Sequence, residues 1–344
     1  MRSERFAGRT NNLSVIMFQL SLVTVMQELS SSLCISTQAR RTMMCAACLV
    51  LVFFCLQVQA DTPHFAKRQD RGLIEYDPIA EASGIVASRK NADVLWTHND
   101  SGRKNTVFAV STHGKHLGLY ILGGIKNRDW EDIAIGPGSE TGQQYLYIGD
   151  IGDNRANHDL KYIYRVPEPD VRADQKPTEV TLADVETITF RYPDGQCDAE
   201  TLLIDPISKD LYVISKRETR VRVYRASYPQ SVTLPITLEH VASLAINEQD
   251  SRSAWLTGGD ISFSGHEILL KSYVGIYYWP RISGQPVHEA LTTEPVLLPY
   301  IPEPQGEAIC WKADGSGYYT VSEEQDDVPA HLYFYPRLQV ENTD

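Results

Sequence analysis

The chain has 344 residues, a formal net charge of −12 and 9% aromatic residues. Its 22 glycines and 18 prolines are ordinary for a globular protein, which excludes a disordered or collagen-like chain. The first 60 residues carry a net +3, so the remainder carries −15. A body of that charge repels polyanions, which argues against nucleic acid as a partner and favours a cation or a small molecule recognised through a bound cation.

The first 60 residues have the features of an export signal. Residues 43–60 follow a basic pair, contain an apolar run of about 13 residues and end at Ala60, as a cleaved secretory signal does. The run is shorter than the roughly 20 apolar residues of a membrane span, so we expect no stable span. Residues 1–42 are an N-terminal extension or a start codon placed too early, and an uncleaved signal anchor is the alternative. The sequence thus predicts a secreted protein.

Beyond a short linker (residues 61–71), residues 72–337 repeat one pattern five times. Each repeat has an acidic residue beside small or apolar ones, a strand, a turn and an aromatic-rich second strand. The repeats begin with EASGIVAS (81–88), DWEDIAIGP (129–137), DAETLLIDP (198–206), LTGGDISFSG (256–265) and QGEAICWKADG (305–315). A third strand follows each pair, and fourth strands are predicted at 116–122, 185–192, 236–244 and 295–301. Short strands separated by turn signals indicate an all-β fold.

The number of repeats favours a single β-propeller of five four-stranded blades. Six blades remain the alternative, because two gaps between repeats are long enough to hold another blade. The fifth repeat ends near Arg337 without a fourth strand, whereas LIEYDPI (73–79) precedes the first repeat. We therefore predict that this N-terminal strand completes the last blade and closes the ring. Residues 338–344 are predicted to form a tail, and a monomer is expected.

Acidic residues at the starts of the repeats are predicted to converge. In a propeller the first strand of each blade lines the central channel, and the loops after the second strands gather at one end. So many carboxylates near one axis require protonation, pairing with lysines or a bound metal. The predicted channel and ligand-binding residues are Glu81, Asn99, Asp100, Glu131, Asp132, Glu200, Lys216, Asp260, Lys271 and Glu307.

Oxygen ligands of this kind suit Ca²⁺, which is the candidate cofactor. The residues predicted to hold it are Glu81, Asp153, Asn154, Glu200 and Glu307. The alternative is that these carboxylates accept hydrogen bonds from backbone amides of the neighbouring blade. No histidine pair has zinc-like spacing, and Ser83 and Ser262 lie in no nucleophile elbow, so no catalytic residue is predicted. Whether Cys197 and Cys310 pair is left open.

These blocks in combination resemble a family of secreted bacterial-type propellers related to the phytase-like, or esterase-like, propellers. The blocks that carry the resemblance are EASGIVASRKNADVLWTHNDSG, WEDIAIGP…YLYIGDIGDN, DAETLLIDPISKDLYVISKR and QGEAICWKADGSGYYTVSEE. The resemblance implies the propeller fold, extracellular placement and hydrolase ancestry. Calcium-dependent propeller hydrolases hold their metal with Glu, Asn and Asp, and those residue types stand here at Glu81, Asn99, Asp100, Asp153 and Asn154.

Three functions follow from the sequence. The first is a secreted propeller that binds a small-molecule or cation ligand, with a divalent cation, at an acidic channel. The second is a calcium-dependent hydrolase of esters, lactones or phosphoesters, with metal-activated water or a channel carboxylate as base. The third is a protein-interaction scaffold.

Overall fold

The computed structural model describes residues 63–102, 104–246, 255–325 and 328–339. The predicted extension (1–42), the signal (43–60) and most of the tail lie outside these residues. Among the described residues the protein is all-β apart from one short helix, α1 (Val287–Leu291). Within the same ranges, no helix has the length and apolar character needed to cross a membrane.

The strands form five sheets, in which neighbouring strands are mostly antiparallel, and each sheet is one propeller blade. Blade 5 combines an N-terminal strand, β1 (Gln69–Leu73), with the last strands of the chain that the structure describes. Blade 1 contains β2 (Ala82–Ala87), β3 (Val94–Asn99), β4 (Thr106–Ser111) and β5 (His116–Leu122). Blade 2 contains β6 (Trp130–Pro137), β7 (Gln144–Asp150), β8 (Lys161–Pro167) and, after β9 (Thr178–Leu182), β10 (Glu186–Arg191).

The remaining strands complete the other blades. Blade 3 contains β11 (Ala199–Ile204), β12 (Leu211–Ser215), β13 (Val221–Ala226) and, after β14 (Ile236–Thr237), β15 (Glu239–Leu244). Blade 4 contains β16 (Leu256–Ile261), β17 (Glu267–Ser272), β18 (Ile276–Pro280) and, after α1, β19 (Val296–Leu298). Blade 5 contains β20 (Gly306–Trp311), β21 (Gly317–Ser322), β22 (His331–Pro336) and β1. The prediction of five blades is confirmed.

The long gaps between repeats supply additional strands to existing blades. Strand β9 pairs in parallel with β5 of blade 1, and the two-residue strand β14 pairs in parallel with β10 of blade 2. Both blades therefore have five strands instead of the predicted four. Among the described residues, the strands in the two long gaps therefore belong to existing blades and do not form a sixth blade.

An N-terminal strand does join the last blade, although not the predicted one. Strand β1 pairs antiparallel with β22, with Gln69 opposite Phe334 and Leu73 opposite His331. Of LIEYDPI only Leu73 is in a strand, because the chain turns between Tyr76 and Ile79, where Ile79 N–H donates to the Tyr76 carbonyl at 2.8 Å. The first strands β20 and β2 are in contact. That the β1 pairing is what closes the ring remains a prediction.

The hydrophobic core lies between the blades. The five first strands are almost wholly buried, with only Pro137 at the end of β6 less so. Trp96 and Trp130 share one cluster between blades 1 and 2, and Trp311 lies in another with blades 4 and 5. Cys197 and Cys310 are both free, and they are buried in separate clusters. The rigid, closely packed first strands are what position the channel side chains.

Candidate functional site

A β-bulge recurs at the same place in all five blades. Near its start, each first strand skips one residue in its pairing with the second strand. A bulge leaves the extra residue out of the ladder and redirects its side chain. The five bulge residues, which we call the bulge ring, are Ser83, Glu131, Glu200, Thr257 and Glu307.

Hydrogen bonds connect the bulge ring from blade to blade. The Ser83 hydroxyl lies 2.6 Å from the Glu131 carbonyl oxygen and 3.3 Å from Oε2 of Glu307, so it links blade 1 to both neighbouring blades. The Thr257 hydroxyl donates to the Glu307 carbonyl at 2.9 Å. The ring therefore places three glutamates and two hydroxyl groups around one end of the channel, which we call the upper end.

A second ring lies beside the first. It consists of the residue that follows the end of each second strand, and we call it the mouth ring: Asp100, Ile151, Lys216, Tyr273 and Glu323. Lys216 forms an ion pair with Glu200 and donates to the Tyr273 hydroxyl at 3.1 Å. Tyr273 in turn donates to Oε1 of Glu307 at 2.7 Å. This chain of contacts compensates part of the negative charge that blades 3, 4 and 5 bring to the upper end.

Carboxylates from blades 1, 2 and 3 gather on the other side of the upper end. They form two groups of three, in each of which the oxygen atoms lie within 4.8 Å of one another. The first group is Asp100, Asp129 and Glu131, and the second is Glu131, Asp198 and Glu200. Glu131 belongs to both. A side chain at Gly152 would place its Cβ 2.0 Å from Oε1 of Glu131 and 2.6 Å from Asp129, so this close approach requires glycine there.

The two groups differ in how their charge is compensated. In the second group Glu200 is paired with Lys216, and Asp198 accepts from Arg217 Nε at 2.5 Å. In the first group, no lysine or arginine of the described chain forms an ion pair with any member. Oδ1 of Asp100 is buried and has no hydrogen-bond partner among the described residues. Within the part of the chain that the structure describes, the first group is therefore the one without a direct ion pair.

Burial and mutual repulsion raise the pKa of these carboxyl groups. The pKa of Glu131 lies well above its usual value because of burial and the nearby charges of Glu200, Asp100 and Asp129. Burial raises the pKa of Asp100 to about 7. A backbone hydrogen bond opposes this rise, and the charges of Glu307 and Asp129 add to it. Without a cation, these carboxyl groups do not all ionise near neutral pH.

Asp132 and Asp260 hold neighbouring blades together. Asp132 accepts from Leu202 N–H of blade 3 at 2.9 Å, and Asp260 accepts from Trp311 N–H of blade 5 at 2.8 Å. For this pair, the structure shows the backbone hydrogen bonding that the sequence left as the alternative. Asp260 is not part of the bulge ring, because the bulge residue of blade 4 is Thr257, three residues earlier.

Other predicted residues order the loops at the upper end. Asp153 accepts from Lys161 Nζ at 2.9 Å and from the backbone N–H groups of residues 157 and 158, which outweigh burial and lower its pKa. Asn154 is exposed and accepts from Arg217. Asn99 donates to the Pro78 carbonyl at 2.7 Å and accepts from the Glu81 amide at 3.1 Å. Glu81, half-buried, precedes the first strand and lies outside the bulge ring.

Lys271, the other lysine among the predicted channel residues, lies deeper than Lys216. It precedes the mouth-ring residue Tyr273 by two positions and is completely buried. Its ammonium donates to the Gly306 carbonyl and lies 4.7 Å from the Tyr300 ring centroid. Burial lowers its pKa to about 8.

Sequence reasoning did not single out Asp129 or Tyr273. A signal for Tyr273 exists, because a serine ends the second strand in blades 3, 4 and 5 and the next residue belongs to the mouth ring. Asp129 had no comparable signal, since it lies one residue before β6 and occupies no repeated position of the blades.

No protein-family model matches the chain, and no curated protein matches it in sequence. Solved structures that resemble it include a luciferin-regenerating enzyme, with 12% identity over 76% of this chain and 92% of that chain, and a TM-score of 0.41. A nidogen/laminin complex has 11% identity over 72% and 74%, at a TM-score of 0.42. A PQQ-bound aldose sugar dehydrogenase from Streptomyces coelicolor has 11% identity over 80% and 100%, at a TM-score of 0.43. Likenesses this distant carry no functional argument, so function rests on the site.

Proposed function

We propose that the upper end of the channel binds one divalent cation, Ca²⁺ in preference to Mg²⁺, as part of a site for a small-molecule ligand. The observation that carries this proposal is the group of Asp100, Asp129 and Glu131, whose oxygens lie within 4.8 Å of one another. Oxygens that share one Ca²⁺ at about 2.3–2.6 Å lie no more than about 5 Å apart. The spacing therefore fits a shared ion without large rearrangement.

The charges favour the first group over the second. A cation between Glu131, Asp198 and Glu200 would have to compete with Lys216 and Arg217, which already pair with two of the three. A cation at the first group meets no such competitor among the described residues, and it would replace repulsion by ligation. Three carboxylates leave several positions of Ca²⁺, which takes six to eight oxygens, for water or for a ligand.

Thermal melting tests the cation. Binding to the native state alone stabilises it by about 2.7 kcal/mol at a hundredfold excess over Kd. At about 2–4 °C per kcal/mol, EDTA should lower the melting temperature by several degrees and Ca²⁺ should restore it better than Mg²⁺. Glu131→Gln should abolish the response, whereas Glu179→Gln, at an exposed position of β9, should keep it. A melting temperature indifferent to EDTA and Ca²⁺ would contradict the proposal.

A calcium-dependent hydrolase is the second candidate. The observation in its favour is that Lys216 and the Tyr273 hydroxyl lie in the same mouth as Asp100, whose pKa burial raises to about 7, and a general base works best with a pKa near the operating pH. A panel of simple esters, lactones and phosphoesters tests it. Turnover that EDTA removes and Ca²⁺ restores would support hydrolysis. If the protein binds Ca²⁺ but turns over none of these substrates, the hydrolase function is contradicted and only the binding function stands.

Export is proposed on the sequence of residues 43–60, with its basic flank, short apolar run and small residue at Ala60. N-terminal sequencing of the secreted protein should begin at or near Asp61. Recovery of the intact N-terminal segment from a membrane fraction would refute cleavage.

A further inference from the structure

The lower end of the channel, opposite the bulge ring, contains a cavity of about 210 Å³. Its lining comes from the hairpins between first and second strands, and four of the five blades contribute to it. The lining residues that matter here are Arg89 of blade 1, Ile135, Pro137 and Gln144 of blade 2, Pro206 of blade 3 and Phe263 of blade 4.

Arg89 reaches from blade 1 to blade 4, which is not its neighbour in the ring. Its Nη2 donates to the Ile261 carbonyl at 3.1 Å and lies 3.9 Å from Oδ1 of Asp260. The guanidinium carbon lies 5.5 Å from the centroid of the Phe263 ring. The side chain is 3% exposed, yet its Nη1 has no hydrogen-bond partner within the described ranges. A buried guanidinium with an unused donor is unfavourable unless an acceptor reaches it.

The rest of the lining selects what such an acceptor would be. Among the described residues that line the cavity there is no carboxylate, and Arg89 is the one ionisable group. The Gln144 carboxamide also lines the cavity and can donate as well. The other walls are apolar, and 57% of Phe263 is exposed.

We propose that this lower cavity is a second binding site, for a small monocarboxylate with an apolar or aromatic body. The carboxylate would accept charge-assisted hydrogen bonds from Arg89, with Gln144 as an additional donor, and the body would pack on Phe263 and Ile135. The volume lies below the roughly 300–1,000 Å³ of sites for drug-sized ligands, so the ligand is small. This site needs no metal and does not depend on the cation proposed for the upper end.

Benzoate is the probe for the charge requirement, and benzamide is its neutral control. Titration of the full chain, followed by calorimetry or ligand-observed NMR, should show that benzoate binds at least tenfold more tightly than benzamide. EDTA should leave the affinity unchanged. Arg89→Gln should weaken benzoate at least tenfold, while Arg172→Gln, which removes an exposed arginine paired with Asp174, should not change it.

Phe263→Ala tests the apolar wall without touching the core, because the ring is largely exposed. It should weaken benzoate severalfold while the circular dichroism spectrum and melting temperature stay as in the wild type. No binding of benzoate to the wild type, equal binding of benzamide, or full affinity in Phe263→Ala would each overturn the proposal. If Arg89→Gln does not fold, the benzamide comparison and Phe263→Ala still decide it.

Discussion

Replacing Lys216 by methionine removes the ammonium that pairs with Glu200 at the upper end of the channel. The two side chains are 5% and 4% exposed, and Oε2 of Glu200 already has no hydrogen-bond partner in the described structure. Removal of one partner from a buried ion pair costs about 3–5 kcal/mol, because the other charge stays buried without compensation. At about 2–4 °C per kcal/mol, Lys216→Met should lower the melting temperature by roughly 6–20 °C.

The loss should depend on pH in a defined direction. The pKa of Glu200 is raised well above its usual value by burial, and Lys216 is the main group opposing that rise. In Lys216→Met the folded protein therefore holds a proton on Glu200 that the unfolded chain releases at lower pH. Stability then falls as pH rises from the unfolded pKa of about 4.3 to the higher folded pKa. The deficit relative to wild type should be larger at pH 8 than at pH 5.

Melting curves of four proteins measure this effect: wild type, Lys216→Met, Glu200→Gln and the double variant. Glu200→Gln should rescue much of the Lys216→Met loss, because a neutral amide leaves no buried charge, and the double-mutant cycle should show clear coupling. A melting temperature for Lys216→Met within 2 °C of wild type at pH 8, or no rescue by Glu200→Gln, would refute this reasoning.

Three further predictions concern the frame and the acidic group. Asp132→Ala should leave backbone amides, that of Leu202 among them, without an acceptor. The free energy of unfolding, measured in urea, should fall by about 1–3 kcal/mol for each such amide, and Ca²⁺ should not restore it. Because the pKa of Asp100 is about 7, Ca²⁺ affinity measured by calorimetry should be about tenfold weaker at pH 6 than at pH 8; equal affinities would exclude Asp100 as a ligand. Deletion of residues 63–73 should expose the edge of β22 and cause aggregation visible in light scattering, and a monomeric product with unchanged melting would contradict the role of β1.

The propeller and its strands could be predicted because repetition and turn signals are local properties of the sequence. The five repeat starts and the fourth strands near 116–122 and 185–192 needed only residue types and turn signals. The parallel pairing of β9 and β14 could not be predicted, since their partners are chosen by distant packing. The N-terminal strand was misplaced by a few residues because LIEYDPI has strand-like composition but turns near Pro78.

The candidate site was predicted less completely, because it depends on strand register. Glu131, Glu200 and Glu307 share the bulge position, whereas Glu81 and Asp260, which the sequence placed with them, do not. A bulge changes which face a residue occupies, and composition does not reveal where a bulge falls. The pairing of Lys216 with Glu200 likewise depends on how β11 aligns with β12. Asp129 is only two residues from Glu131, but the sequence does not show that both carboxylates approach Asp100.

Calorimetric titration of Ca²⁺ into the EDTA-treated and dialysed full chain tests the proposed cation site most directly. Wild type and the matched control Glu179→Gln should each bind one Ca²⁺, and Glu131→Gln, which alters the carboxylate common to both acidic groups, should bind none or far more weakly. Undetectable Ca²⁺ binding by the wild type, or unchanged affinity in a folded Glu131→Gln variant, would contradict the assignment of the upper end as a cation site.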